Sequence, residues 1–136
     1  MLYLQTPDNS DRSFHYGDGL FTTIRVKDGK AMLWDLHLQR LVSGAKALLI
    51  NEFDTDELTV KVQQAISAPD QVIKVLISRG QAGRGYSPQG IESPCCYIST
   101  AALPDYSNWQ QQGIRLGVAD FKLAQQPALA GLKHNN

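Results

Sequence analysis

The feature of this sequence that most constrains its fold is a pair of apolar segments joined by an Asp-Gly turn. Residues 20–26 (LFTTIRV) are rich in β-branched side chains, and a second apolar run follows at residues 31–34. Between them, Asp28 and Gly29 tolerate the positive φ angles that a tight turn requires. The pattern therefore predicts a β-hairpin in the first quarter of the chain.

Two helices are predicted after this hairpin. The first spans residues 35–49 with Asp35 as its N-terminal cap, because apolar residues recur there at helical spacing. These residues are Leu38, Leu41, Val42, Ala45, Leu48 and Leu49. The second helix begins near Asp54, whose acidic neighbours suit the positive end of a helix dipole, and it ends before Pro69.

Three further segments have the composition of strands, namely residues 72–79, 95–100 and 114–119. Residues 80–90 separate the first two and contain too much glycine and proline to continue either, so we expect a surface loop. Together these elements predict a mixed α+β fold. A break at residues 103–113 predicts an internal boundary between a small N-terminal α+β domain over residues 1–110 and a second segment over residues 111–136.

Composition argues against several classes of partner. Thirteen basic and thirteen acidic side chains cancel without any basic run, so neither nucleic acid nor a membrane surface is expected to bind. The sequence contains neither a signal-peptide pattern nor an apolar stretch of membrane-spanning length, so we expect a cytoplasmic protein. Cys95 and Cys96 are adjacent in a predicted strand and point to opposite faces, which favours buried free thiols.

Common ligand motifs give no specific signal. His15, His37 and His134 lack the short spacing and the nearby cysteines of zinc sites, so no metal site is predicted. The glycines of residues 80–85 follow a strand, but they form neither a Walker A loop nor a glycine-rich turn that opens a helix. A flexible loop is therefore favoured over a nucleotide site.

A series of short motifs in a fixed order is far more specific than any single one. They are Asp11-Arg12, residues 16–25 (YGDGLFTTIR), residues 36–41 (LHLQRL), residues 78–80 (SRG), residues 83–86 (GRGY) and residues 130–134 (AGLKH). In this order they resemble the class IV, fold-type IV aminotransferase-like family and, within it, the aminodeoxychorismate lyases. The resemblance implies a D-amino-acid-aminotransferase-like small domain, with a mixed sheet and two helices. It also implies that residues 111–136 are the truncated start of a larger, cofactor-binding domain.

The resemblance also assigns the residues that bind the cofactor. Lys133 matches the catalytic lysine that holds pyridoxal 5'-phosphate covalently, a role that requires a primary amine. Arg40 matches the arginine that binds the cofactor phosphate, to which a guanidinium can donate two parallel hydrogen bonds. The alternatives are a solvated lysine in a polar tail and a cation on a helix surface.

Four further residues are implied to contact the substrate. Tyr16 and Arg25 are expected beside it on the first hairpin strand, where Phe21 and Arg25 share one face because side chains alternate. The alternative is that Phe21 belongs to the core and Arg25 is simply exposed. Arg84 and Tyr86 lie on a loop that in this family closes over an active site, frequently that of the partner subunit in a homodimer, and can bind substrate carboxylates.

The implied activity is that of a pyridoxal-phosphate-dependent carbon–oxygen lyase. It would convert 4-amino-4-deoxychorismate into pyruvate and 4-aminobenzoate, a step of folate biosynthesis. Family members continue after the lysine into a larger domain that completes the cofactor site, so we expect the lysine end to be poorly packed and this chain alone to be inactive. The alternatives are a branched-chain or D-amino-acid aminotransferase of the same fold, and a non-catalytic fragment.

Overall fold

A computed structural model of the protein describes residues 1–135, which form one five-stranded sheet and four helices. The strands are β1 (Leu2–Leu4), β2 (Gly19–Lys27), β3 (Lys30–Ala31), β4 (Gln71–Ser78) and β5 (Cys95–Ala102). The helices are α1 (Arg12–Tyr16), α2 (Trp34–Ala47), α3 (Thr55–Gln64) and α4 (Ser107–Gln112). The predicted α+β fold is confirmed. Asn136, the last residue of the predicted second segment, lies outside the described residues.

The sheet is mixed, with the strand order β1-β5-β4-β2-β3. β1 is parallel to β5, whereas the other neighbouring strands are antiparallel. β2 and β4 pair along their whole length and form the centre of the molecule. β2 and β3 form the predicted hairpin, and its turn uses positive φ angles of 51° at Asp28 and 71° at Gly29.

One face of the sheet carries the hydrophobic core, which is covered by α2 and α3. The residues buried there come from two strands and two helices: Leu20, Ile24, Ile73, Ile77, Leu41, Leu58 and Val62. Burial of each such side chain contributes roughly 1.5–3 kcal/mol, so this cluster holds the helices on the sheet. Two members of the predicted helical stripe, Val42 and Leu49, are instead 42% and 82% exposed, and α2 already ends at Ala47.

The two long helices begin in different ways. α3 begins as predicted at Asp54, whose carboxylate accepts hydrogen bonds from two backbone N–H groups of the first turn. The prediction that Asp35 caps α2 is wrong, because α2 begins one residue earlier. Met32 still donates its N–H to the carbonyl of Arg25, so the chain turns into the helix at Leu33, which has a φ of 54° and makes no side-chain cap.

The predicted strand at residues 114–119 is also wrong. Ile114, Leu116 and Val118 are 63%, 86% and 101% exposed, and their backbone is not in a strand. A strand persists only where a neighbour exchanges backbone hydrogen bonds with it. Within residues 1–135, no strand lies beside this segment.

The sequence did not predict β1, α1 or α4. α1 matters most, because it changes the position of Tyr16, which was expected on the first hairpin strand. Tyr16 is instead the last residue of this short helix. Gly17 follows it with a φ of 61° and so ends the helix before β2 begins.

Several smaller expectations can also be compared with the structure. Residues 81–90 run over the surface without a helix or strand, as predicted for a loop rich in glycine. Cys95 and Cys96 are buried free thiols, and burial raises the pKa of the Cys96 thiol to about 12. Among residues 1–135, no helix combines the length and the apolar character that crossing a bilayer requires.

Candidate active site

Lys133 reaches the sheet through a short backbone pairing. The carbonyl of Lys133 accepts a hydrogen bond of 3.0 Å from the N–H of Phe21, and Asn135 donates its N–H to the carbonyl of Gly19. This pairing is possible because β3 covers only the far end of β2, at Val26 and Lys27, and leaves the first half of that edge free. The lysine is therefore held beside β2 although its side chain is exposed.

The ring of Phe21 lies under two ammonium groups. Lys133 Nζ is 5.1 Å from the ring centroid, and Lys74 Nζ is 4.8 Å from it. Phe21 points to the face of the sheet opposite the core, as does Lys74 on β4. Because an aromatic face attracts cations, the ring holds both amines over the open face of the sheet.

A histidine connects β2 to α2 near this lysine. Thr22 is fully buried, and its hydroxyl shares a hydrogen bond of 2.7 Å with Nδ1 of His37. Burial lowers the pKa of His37, and the positive charges of Arg40 and Lys133 lower it further. Arg40, in the middle of α2, and Lys133 therefore both lie near this imidazole, and two neighbouring cations suit an anion such as phosphate.

The loop of residues 80–90 contacts α1 near the start of β2. Tyr16 and Tyr86 have ring centroids 5.1 Å apart, and the Tyr16 hydroxyl accepts a hydrogen bond of 3.0 Å from the N–H of Gly85. Both tyrosines line a cavity of about 210 Å³, and His134 lines it as well. The loop thus lies close to the segment that carries Lys133.

Asp18 joins this loop to the rest of the fold. Its carboxylate accepts hydrogen bonds from Arg12 Nε at 2.7 Å and from Arg79 Nε at 2.8 Å. Burial alone opposes the ionisation of Asp18, but the hydrogen bonds from Arg79 and Arg12 outweigh it and lower the pKa of this carboxyl. The carboxylate stays charged between two guanidinium groups.

Two of the predicted substrate residues lie elsewhere. Arg25 is exposed towards the far end of β2, where it lines a cavity of about 990 Å³ together with Asp70 and Tyr106. Arg84 is exposed and lines a separate cavity together with Phe14 and Tyr16. The structure therefore brings Tyr16 and Tyr86 together, but it places neither Arg25 nor Arg84 in the cavity with them.

Sequence reasoning assigned no site role to three residues that the geometry brings forward. His37 precedes Arg40 by three positions, a spacing that places both on one side of a helix and was the available signal. Lys74 interrupts an otherwise apolar strand, which was a second signal. Arg12 belongs to the motif Asp11-Arg12, but its loop partners are distant in sequence and gave no signal of its role. Among residues 1–135, no three histidine, cysteine or acidic side chains are grouped as a metal site requires.

The site combines three features. A lysine is paired to the edge of a mixed sheet, an arginine and a histidine lie on the adjoining helix, and a glycine-rich loop lies beside them. The family of class IV amino-transferases matches residues 19–136, and the chain belongs to that family. The resemblance carried by the motifs is therefore confirmed.

Two lyases are similar to this chain over almost its whole length. The aminodeoxychorismate lyase of Vibrio harveyi is 43% identical over 128 residues, which cover 93% of this chain and 47% of that protein. The solved structure of 4-amino-4-deoxychorismate lyase from Pseudomonas aeruginosa is 39% identical and has a TM-score of 0.87, covering 98% of this chain and 50% of that one.

A third similarity is to a hypothetical aminotransferase from Mycobacterium tuberculosis that was solved in a PLP-bound form. It is 28% identical with a TM-score of 0.64, covering 74% of this chain and 35% of that chain. The chain thus spans about half the length of the lyases that it matches, and less of this aminotransferase.

Proposed function

We propose that the protein is a pyridoxal-phosphate-dependent 4-amino-4-deoxychorismate lyase that produces pyruvate and 4-aminobenzoate for folate biosynthesis. The observation that carries the proposal is the position of Lys133. Its amine lies 5.1 Å from the Phe21 ring and, like Arg40, near His37 of α2. The identity of 43% to one lyase and the TM-score of 0.87 to another support it.

The residues present fit the cofactor. Arg40 is exposed and free to donate to phosphate oxygens, and Lys133 offers a primary amine within the same electrostatic neighbourhood. When bound, pyridoxal phosphate would supply an electron-withdrawing ring that stabilises negative charge at a substrate carbon. The carboxylate that this ring needs, and the rest of the phosphate site, would come from residues other than those described.

Each side chain would have a separate task in the lyase reaction. The substrate loses a proton from the ring carbon that bears its amino group, and the neighbouring carbon–oxygen bond breaks to release pyruvate, leaving an aromatic ring. Lys133 Nζ would take that proton, because it is the amine held at the sheet edge. Lys74 is the second cation over Phe21 and would orient an anionic group of the substrate.

The exposed tip of the loop would complete the site of a second subunit. Tyr86 is 84% exposed, and Arg84 is exposed beside a second cavity that Tyr16 also lines. In a homodimer these two side chains would bind the carboxylates of a substrate held by the partner. Arg25, at the far end of β2, would border the substrate only from a distance.

A second candidate function is an aminotransferase of the same fold, acting on branched-chain or D-amino acids. The similarity to a PLP-bound hypothetical aminotransferase favours it, and the same Lys133 and Arg40 would serve. A third is a non-catalytic fragment, since the chain spans about half of the lyases that it matches.

A coupled assay separates these functions. The full-length protein is incubated with 4-amino-4-deoxychorismate in the absence of any keto acid, and pyruvate is followed with lactate dehydrogenase. A lyase gives pyruvate and 4-aminobenzoate in equal amounts, and Lys133→Ala abolishes both while the control Lys122→Ala, in an exposed segment, retains them. Turnover that requires a keto acid would identify an aminotransferase. Absence of turnover under both conditions would leave the non-catalytic reading.

The phosphate role of Arg40 has its own measurement. Arg40→Ala should weaken pyridoxal phosphate binding by roughly 10-fold to 100-fold, because one charge-assisted hydrogen-bond pair is lost. Lys46→Ala, a cation farther along α2, is the matched control and should leave the affinity unchanged. Equal affinities for the two variants would contradict the assignment.

A further inference from the structure

A buried arginine that takes no part in the proposed chemistry binds the loop of residues 80–90. The side chain of Arg12 is 5% exposed. Its Nη1 donates to the carbonyl of Gly85 at 3.0 Å and, at 3.4 Å, to that of Ser87, while its Nη2 donates to the carbonyl of Tyr86 at 2.9 Å. One guanidinium thus binds three consecutive carbonyl groups of the loop.

These contacts replace the regular backbone hydrogen bonds that the loop lacks. The loop is exposed, rich in glycine and outside any helix or strand, so ordering it costs conformational entropy. A buried guanidinium is tolerated only when its N–H groups are paired. The Nε of Arg12 is paired with Asp18, and the remaining donors are directed to the loop, so each side satisfies the other.

Tyr16 binds one of these loop residues, Gly85, through that residue's N–H group. Its hydroxyl accepts the N–H of Gly85, and Arg12 Nη1 binds the carbonyl of that residue. The Tyr16 ring lies 4.8 Å from Arg12 Cζ and 5.1 Å from the centroid of the Tyr86 ring. Arg12, Tyr16 and Tyr86 therefore lie next to one another, with the two tyrosine rings tilted by 51°.

We propose that Arg12 is a positioning residue that fixes the loop in the shape in which Tyr86 contacts Tyr16 and Arg84 is exposed. It acts through the loop carbonyls and does not touch the proposed reacting atoms. One part of this inference rests on the proposed function, namely that the loop presents Arg84 and Tyr86 to the substrate.

Arg79 provides a matched control within the same network. It also binds Asp18, with Nε at 2.8 Å, but its terminal nitrogens donate to the carbonyls of Leu48 and Leu49 after α2. Lysine keeps the positive charge but has no planar set of donors. Arg12→Lys therefore releases the loop, whereas Arg79→Lys releases the end of α2.

The loop can be measured without any activity by native-state cleavage with an arginine-specific protease. In the full-length protein, we expect Arg12→Lys to accelerate cleavage after Arg84 about tenfold, and Arg79→Lys to change it by less than about twofold. Cleavage after Arg25, whose backbone is paired within β2, reports global unfolding and should stay slow in both variants. Equal rates after Arg84 in the wild type and in Arg12→Lys would overturn the inference.

If Arg12→Lys also accelerates cleavage after Arg25, the variant unfolds globally. A milder substitution then tests the positioning role. Tyr16→Phe removes only the acceptor of the Gly85 N–H. It should accelerate cleavage after Arg84 about threefold without affecting Arg25. An unchanged rate in Tyr16→Phe would overturn the inference in that case.

Kinetics distinguish positioning from general stability. Arg12→Lys should raise KM for the substrate more than it lowers kcat and should leave the cofactor absorbance unchanged, because only the loop moves. If the protein has no lyase activity but Arg12→Lys still exposes Arg84, the proposed function fails and the positioning role of Arg12 stands. If the activity is present and cleavage is unaffected, the positioning role fails alone.

Discussion

β2 and residues 113–119 have the same alternation of apolar side chains, but they end in opposite environments. In β2, Leu20 and Ile24 are 2% and 0% exposed, because β4 pairs along the strand and α2 covers it. Leu116 and Val118 are 86% and 101% exposed, with no strand beside them in the described chain. The comparison shows that alternation specifies which face is apolar, whereas a neighbouring strand decides whether a strand forms.

The two regions meet at the candidate active site. Most of residues 103–132 is exposed, yet the following three residues pair with the free edge of β2. Lys133 thus belongs to the weakly packed region and is positioned by the strongly packed one. Its expected poor packing is correct for the side chain, which is exposed, but not for the backbone.

The largest expected effect comes from making one substitution in each region. Leu41→Ala, at a fully buried position of α2, should lower the free energy of unfolding by about 2–5 kcal/mol. Leu116→Ala should change it by less than about 0.5 kcal/mol. Urea denaturation of the 136-residue chain measures both. A similar loss of unfolding free energy for the two substitutions would show that residues 113–119 are packed in solution. The difference between the two regions would then be contradicted.

The second largest loss of stability is expected from a buried polar network in the well-packed part of the chain. Asp11 is 1% exposed, and its carboxylate accepts the hydroxyl groups of Ser78 at 2.7 Å and Tyr97 at 2.6 Å. Asp11→Ala leaves these donors unpaired and should cost roughly 3 kcal/mol. Asp8→Ala removes an exposed carboxylate with a similar local contact, to Ser10, and should leave the urea midpoint unchanged. Identical midpoints for the two variants would contradict the importance of burial.

A smaller effect tests the different starts of the two long helices. Asp54→Ala removes the cap of α3 and should destabilise the chain by about 1 kcal/mol. Asp35→Ala should cost clearly less, because Asp35 lies in the first turn of α2 without capping it. Thermal unfolding of both variants gives the comparison. A larger loss for Asp35→Ala would restore the cap that the sequence predicted.

The smallest effect is a pH dependence at His37. Burial, Arg40 and Lys133 lower the pKa of His37 in the folded state below its ordinary value of 6.5. As the pH falls, the imidazole is therefore protonated first in the unfolded chain. Stability from the neutral imidazole is therefore present above pH 6.5 and is lost as the pH falls from there through the lowered value. His37→Gln should flatten this part of a stability curve measured by urea denaturation. His15→Gln, at an exposed position, is the control, and an equal change in both variants would refute the effect.

The sequence predicted those features of the fold that depend on neighbours along the chain. Asp28 and Gly29 can adopt their φ angles without help from distant residues, and Asp54 caps the helix that follows it. Asp35 was predicted as a cap by the same rule, but the hydrogen bond between Met32 and Arg25 moved the helix start. A local pattern fails where a contact across the hairpin fixes the backbone first.

The site was predictable to a smaller extent. The motifs identified Lys133 and Arg40 by resemblance, but their joint action on His37 depends on how α2 packs against β2. The motif Asp11-Arg12 contained Arg12 but assigned it no role, since its bonds to Gly85 and Tyr86 join segments that are far apart in sequence. Long-range hydrogen bonds leave no periodic trace in a sequence.

The parallel pairing of β1 with β5 has a consequence for synthesis on the ribosome. β1 emerges first, but its partner is the last strand of the sheet, with Leu2 opposite Cys95. The hairpin and α2 can form while translation continues, whereas closure of the sheet waits for β5 and for a slow long-range contact. Until then the apolar side chains of β1 have no strand to join, so the sheet is complete only after β5 has been synthesised.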